Sequence, residues 1–195
     1  MVMIHGACLR YKGKTIIVAG NSGAGKSTVT TELIKRGALL MADDVTGIGY
    51  DNGKYISYPA FPAQKLCEDQ VDNNAIDKTG LKRIKYDLNK FEIMRNDKFY
   101  DEPCPVDMLF VMEKGDVEDL YTCEITGANK LRVVKDAIFI DWLFDDEFKI
   151  EPEDVFRCVG IANQIRIFGL RRNKEKDTLG KILDFIDSKM TSEDI

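Results

Sequence analysis

Gly20, Asn21, Ser22, Gly23, Ala24, Gly25, Lys26 and Ser27 fill every fixed position of a phosphate-binding loop. Successive backbone N–H groups of such a loop turn inward around the β- and γ-phosphates of a nucleoside triphosphate. Lys26 adds a point charge, and Ser27 offers a hydroxyl to the accompanying Mg²⁺. The expected nucleotide contacts are Asn21, Ser22, Gly23, Ala24, Gly25, Lys26, Ser27 and Thr28. The flanks suit the motif. Thr15, Ile16, Ile17, Val18 and Ala19 form a β-branched, apolar run that reads as a buried strand. Val29, Leu33 and Ile34 then fall on one face of a helix that stops at Gly37, with Lys35 and Arg36 near its negative end. The phosphates are therefore expected at a helix N-terminus.

Asp43 and Asp44 follow at the end of the short apolar run Ala38 to Met41. In an extended segment neighbouring side chains point to opposite sides, so two adjacent carboxylates can serve two clients. One can hold Mg²⁺ together with Ser27, while the other reaches the hydroxyl that attacks the γ-phosphate. An acidic loop or helix cap is the plainer reading of such a pair, and the phosphate loop upstream weighs against it. His5, the only histidine, lies on the strand expected to pair with the one feeding the loop. There it can donate to a phosphoryl oxygen or position an acceptor, although a lone histidine is more often structural.

The elements that must position these groups are legible in outline. Residues 3–10 and 14–19 read as strands joined by a tight turn at Tyr11, Lys12 and Gly13, and Asp51, Asn52 and Gly53 mark a second hairpin between Thr46 to Tyr50 and Lys54 to Tyr58. A short helix is expected over Gln64 to Val71 and a mobile polar loop over Asp72 to Lys85. Val106 to Glu113 and Leu120 to Ile125 read as strands, and Gly127 to Phe148 as a long helix. Beyond Pro152 come a helix, a strand over Gln164 to Leu170 and an amphipathic helix carrying Leu179, Ile182, Leu183 and Ile186. The fold expected is a single α/β domain over residues 1–195 with a mixed sheet flanked by helices.

A net charge of −5 and a pI near 5.1 argue against a broad nucleic-acid or anionic-membrane surface. No segment has the length of a transmembrane helix and no signal-peptide pattern stands at the N-terminus, so a cytoplasmic protein is expected, without nucleic-acid or membrane partners. Cys8, Cys67, Cys104, Cys123 and Cys158 are odd in number and scattered, which suits small apolar fillers better than a disulfide framework or zinc site.

Taken together, Ile4, His5 and Gly6, the loop Gly20 to Ser27, Lys35, Arg36 and Gly37, and Ala42, Asp43 and Asp44 resemble the kinase core of the HPr kinase/phosphorylase family, whose fold is similar to that of phosphoenolpyruvate carboxykinase. The resemblance implies a P-loop kinase using ATP and Mg²⁺, with Asp43 as base toward a serine hydroxyl, Asp44 as metal ligand and His5 at the phosphoryl acceptor site. Tyr58 to Pro62 with Lys65 and Leu66, and Asp101 to Pro103 leading to Glu113 to Asp116, look similar to short HPr-kinase-like proteins. Some of those are encoded with peptide-modification systems and phosphorylate a serine of a precursor peptide. The family's Pro-Gly-Arg-Asn-type signature is not found in the second half, so neither HPr as acceptor nor the phosphorylase reaction is implied. The arginine expected to stabilise the transferring phosphoryl group is open among Arg83, Arg157, Arg166, Arg171 and Arg172.

The leading expectation is therefore a serine kinase acting on a peptide or protein, catalysed by Asp43, Lys26 and His5 and assembled as a homo-oligomer. The alternatives are a kinase for a small hydroxylated metabolite and a non-catalytic ATP-binding regulatory module. Trp142, Leu143 and Phe144 could serve an interface between copies or face the core.

Overall fold

In a computed structural model that describes residues 1–84, 87–138 and 152–191, β1 (Val2–Tyr11) and β2 (Lys14–Gly20) form an antiparallel hairpin. Lys12 and Gly13 close it at φ +46° and +79°, the two positive angles that a two-residue turn needs to match the twist of its strands. Thr15 to Ala19 are fully buried, because β2 lies inside the sheet between antiparallel β1 and parallel β10 (Met108–Gly115). The helix after the phosphate loop, α1 (Lys26–Lys35), ends where the sequence predicts. The Gly37 amide donates to Ile34 O and the Ala38 amide to Leu33 O, with Gly37 at φ +99°. This pair of bonds around a left-handed glycine satisfies the last carbonyls of the helix.

β3 (Leu39–Ala42) returns to pair with β1, and the hairpin β4 (Val45–Asp51) and β5 (Lys54–Tyr58) turns on Asn52 and Gly53 as expected. β9 (Cys104–Pro105) borders β5 on that side. β12 (Arg166–Asn173) runs parallel to β10, and β11 (Leu120–Ile125) runs antiparallel beside it. Among the described residues these strands make one nine-stranded mixed sheet in the order β11-β12-β10-β2-β1-β4-β5-β9, with β3 off that path on β1.

Period-two alternation splits the apolar residues between its faces. Ile16, Val18, Phe110 and Phe168 pack with α1 and with α5 (Leu179–Met190) through Leu33 and Ile186. Ile17, Ala19, Leu109 and Ile167 pack with α3 (Ala128–Asp136) and α4 (Pro152–Gln164) through Val134 and Ile161. The fold is thus α/β, a mixed sheet covered by helices on both faces.

The segment after Pro62 departs from the expectation of a helix over Gln64 to Val71. Gln64 to Cys67 lie in β6 (Ala63–Cys67), and only from Glu68 does the chain turn helical, as α2 (Glu68–Asn73). The expected mobile loop likewise contains β7 (Lys82–Ile84). Both pair with β8 (Asp87–Met94), a strand absent from the sequence reading, to give a separate three-stranded sheet in the order β6-β8-β7. Leu66, Phe91 and Ile93 on one face of it bury themselves with Val71 of α2. That small core, assembled from segments far apart in sequence, overrides the local helical pattern. The long helix expected over Gly127 to Phe148 ends at Asp136, since Ile138 forms a β-bridge with Ile4; its remainder, with Trp142, Leu143 and Phe144, lies outside the described residues. Gln164 closes α4, so the strand expected to begin there begins at Arg166. No helix among the described residues is long and apolar enough to cross a membrane.

Candidate functional site

The loop between β2 and α1 is held open by its own glycines and by a distant arginine. Gly20 sits at φ +140°, and a Cβ there would lie 2.1 Å from the Met112 carbonyl oxygen, so no other residue fits this close approach of loop to β10. Gly25, at φ +104°, precedes α1 without a side-chain cap, and the first turn of the helix carries no acidic residue. Its leading amides are therefore available to an anion. Asn21, Ser22 and Gly23 are exposed, whereas Ala24 is buried. Arg172 of β12 donates from Nε to Ala24 O at 2.8 Å and from Nη2 to Gly23 O at 3.4 Å.

Of the five candidate arginines, it is Arg172 that bonds the loop. Arg157 pairs with Glu153 and Asp154, Arg166 with Glu124, and Arg171 with Glu113. Arg83 lies over the Phe91 ring and pairs with Glu68.

Lys26 folds back over the loop. Its Nζ donates to Gly20 O at 2.6 Å and lies 3.3 Å from both Asn21 O and His5 Nε2. Burial lowers its pKa, against the pull of the Asp44 and Asp43 carboxylates. His5 reaches this point because β1 pairs with β4 in the register that sets His5 opposite Val45, next to the aspartates. Gly6 beside it must stay bare, since a Cβ would meet Val18 O at 2.8 Å. Burial first, and then the Lys26 ammonium, hold the His5 pKa below its ordinary value.

The paired aspartates do not sit in extended chain. The Val45 amide donates to Asp43 O at 2.6 Å across Asp44, which stands at φ +59°. This left-handed conformation is uncommon outside glycine, and aspartate tolerates it better than most residues. The two carboxylates consequently do not divide between opposite faces, because both address Lys65. Its backbone N–H donates to Asp43 Oδ2 at 2.8 Å, and its Nζ lies 2.8 Å from Asp44 Oδ2. Burial, with the Asp44 charge second, pushes the Asp43 carboxyl up to about 7. The surface of Asp43 is still partly open. That opening leads to a cavity of about 500 Å³ whose walls include Phe61, Lys65, Lys82, Arg83 and Glu92 but no residue of the phosphate loop.

A second tier ties the small sheet to α1. Arg95 donates from Nε and Nη2 to Gln64 Oε1, and the buried Gln64 amide donates to Thr30 and Thr31 Oγ1. Both of those hydroxyls donate to Ser27 O, at 3.1 and 2.7 Å. The Gln70 amide bonds the Thr28 hydroxyl. Arg95, Gln64 and Lys65 were all missing from the expected site. A faint signal existed in the polar Gln64 standing one alternation from Leu66, on what proves to be the buried face of a strand.

Residues 1–65, which span the loop, both aspartates and Lys65, match the family model described as HPr Serine kinase C-terminal domain. Over those residues the chain is similar to HPr kinases. An HPr kinase/phosphorylase of Clostridium botulinum (strain Eklund 17B / Type B) is 28% identical over 162 residues, covering 78% of this chain and 52% of that protein. One of Mycoplasmopsis pulmonis is 31% identical over 67 residues, covering 34% of this chain and 22% of that protein. The chain thus spans about half the length of the first relative and less of the second. The solved structure of the Hpr(Ser) kinase/phosphatase from Coxiella burnetii superposes with a TM-score of 0.45 at 14% identity, over 96% of this chain and 93% of that one.

Proposed function

We propose that residues 1–195 work as one HPr-kinase-like domain, an ATP- and Mg²⁺-dependent phosphotransferase that moves the γ-phosphoryl group to a serine-type hydroxyl of a peptide or protein. The observation that carries this reading is the double position of Asp43. It lies within the electrostatic reach of Lys26 on the phosphate loop, and it also forms part of the wall of a cavity that the loop does not enter. A carboxylate that feels the donor-side charge and also lines space for an acceptor suits in-line transfer.

The residues suit a nucleoside triphosphate and a divalent cation. Uncapped amides at the start of α1 and the Lys26 ammonium fit phosphates, and the Ser27 hydroxyl with the Asp44 carboxylate supplies hard oxygen donors of the kind Mg²⁺ takes. When bound there, Mg²⁺ would offset charge on the β- and γ-phosphates. In the proposed step the acceptor oxygen bonds to the γ-phosphorus, the bond from that phosphorus to the β,γ-bridging oxygen breaks, and ADP leaves. The hydroxyl proton passes to the Asp43 carboxylate. A group with a pKa near 7 can take that proton without being protonated throughout at neutral pH. Lys26 offsets charge on the departing and transferring oxygens, and His5, whose Nε2 lies 3.3 Å from the Lys26 ammonium and can accept from it, helps to hold that charge at the phosphoryl site.

Arg172 supports the cradle from behind rather than facing a nucleotide, because its Nε is engaged with Ala24 O. Arg172→Ala is expected to weaken binding of an ATP analogue about tenfold by calorimetry, since a charge-assisted hydrogen bond contributes on the order of 1.5 kcal/mol. Unchanged affinity would show that the loop keeps its shape without it.

A cavity of about 500 Å³ is also the size of a small-molecule site, which makes a hydroxylated metabolite the second reading of the acceptor. Transfer of label from γ-labelled ATP with Mg²⁺ to HPr, to serine-containing peptides or to free serine tests the proposal and separates these acceptors. Tight nucleotide binding with no transfer to any of them would favour a regulatory module.

A further inference from the structure

Lys65 bonds both carboxylates of the aspartate pair, and it does so through two chemically different contacts. The bond to Asp43 comes from its backbone N–H, inside β6. That strand is anchored by Gln64 and Leu66 on either side of Lys65, both fully buried. The bond to Asp44 comes from the ammonium at the end of a flexible stem whose side chain is 48% exposed. The first contact is architectural, whereas the second can be exchanged. In the small sheet Lys65 stands opposite Glu92, which stands in turn opposite Lys82 and pairs with it at 3.1 Å. The Lys65 stem therefore lies in the wall of the cavity beside Asp43.

We propose that the Lys65 ammonium and a divalent cation compete for the Asp44 carboxylate, making Lys65 a positioning residue that keeps the turn Asp43 to Val45 in shape until the cation arrives. The competition rests on the kinase reading only in taking nucleotide and cation to bind together at Ser27 and Asp44. Once displaced, the ammonium has the acceptor cavity as its nearest space, with Glu92 across the strand pair. Loading the donor side thereby places an extra positive charge on the acceptor side. Asp43 keeps its orientation throughout, since its partner is main chain.

The test is the affinity of the full chain for Mn²⁺, read by electron paramagnetic resonance with AMP-PNP at saturation, in wild type, Lys65→Met, Lys65→Arg and Lys82→Met. Lys65→Met should tighten Mn²⁺ binding about 2- to 5-fold, the size expected of a partly exposed ion pair. Lys65→Arg, which keeps the competing charge, should match wild type. Lys82→Met removes a nearby charge without touching Asp44, so it should match wild type as well. A merely structural Lys65 would give the opposite sign, with Mn²⁺ weakened as the turn loosens. Unchanged or weaker Mn²⁺ binding in Lys65→Met, while wild type binds, overturns the competition and leaves the kinase reading standing. Failure of wild type to bind Mn²⁺ with AMP-PNP overturns both.

Discussion

Asp43→Asn is expected to lower phosphoryl transfer by about 10²- to 10⁴-fold, the usual contribution of a positioned general base, while leaving the affinity for Mg·ATP within about twofold. The substitution keeps an oxygen to accept the Lys65 N–H at the same place and leaves the cradle from Gly20 to Thr28 untouched. It removes only the capacity to take a proton from the acceptor. Initial rates with γ-labelled ATP, set beside calorimetric binding, separate the two effects; full transfer activity in the variant would remove Asp43 from the role of base.

The same substitution carries a stability signature of opposite sign. The Asp43 carboxyl is raised from an ordinary 3.8 to about 7. Between those values the unfolded chain has lost a proton that the folded chain retains. Folding stability must therefore fall as pH rises through this window, being fully present below about pH 4 and lost above about pH 7. Asp43→Asn abolishes the penalty. In metal-free buffer at pH 8 it should stabilise the fold by on the order of 2 kcal/mol after allowance for solvent screening. That amounts to about 4–8 °C in Tm for a chain of this size, with no gain at pH 4. A variant that loses turnover and gains stability in this pH-dependent way would mark Asp43 as a group kept for function at the expense of the fold.

What could be read in the sequence was what is local. The loop from Gly20 to Ser27, the stop at Gly37 and the turns at Lys12-Gly13 and Asn52-Gly53 each depend on a few neighbouring residues whose backbone preferences are strong, and the structure has them where expected. The small sheet was missed because β6 and β7 are short and its core residues are separated along the chain; only pairing across the intervening segments brings Leu66, Phe91 and Ile93 together. The aspartate pair was visible as chemistry but not as shape. Nothing in Ala42-Asp43-Asp44-Val45 specifies a left-handed Asp44, which follows from the bond across the turn and from Lys65 arriving from another sheet. Arg172 stood among five candidates with no local mark to distinguish it, since its partners Ala24 and Gly23 are 148 and 149 residues away along the chain.

Lys26→Met should produce the other large effect, and the single histidine makes it visible without any substrate. Removing a donor aimed at developing phosphoryl charge costs about 10²- to 10³-fold in turnover by comparison with other preorganised donors, and loss of the point charge should weaken ATP binding as well. The fold should survive, because the ammonium is already penalised by burial and its neighbours Gly20 O and Asn21 O lie at the edge of an exposed loop. His5 supplies the independent readout. Its pKa is depressed by burial first and by the Lys26 ammonium second, so Lys26→Met should move the imidazole titration upward. With one histidine in the chain, a single pair of imidazole resonances reports this directly across a pH series. An upward shift joined to lost transfer would tie the 3.3 Å contact between His5 and Lys26 to the working site. A titration that did not move would mean that the ammonium spends its time over the loop carbonyls, away from His5, and would take His5 out of the phosphoryl-handling group.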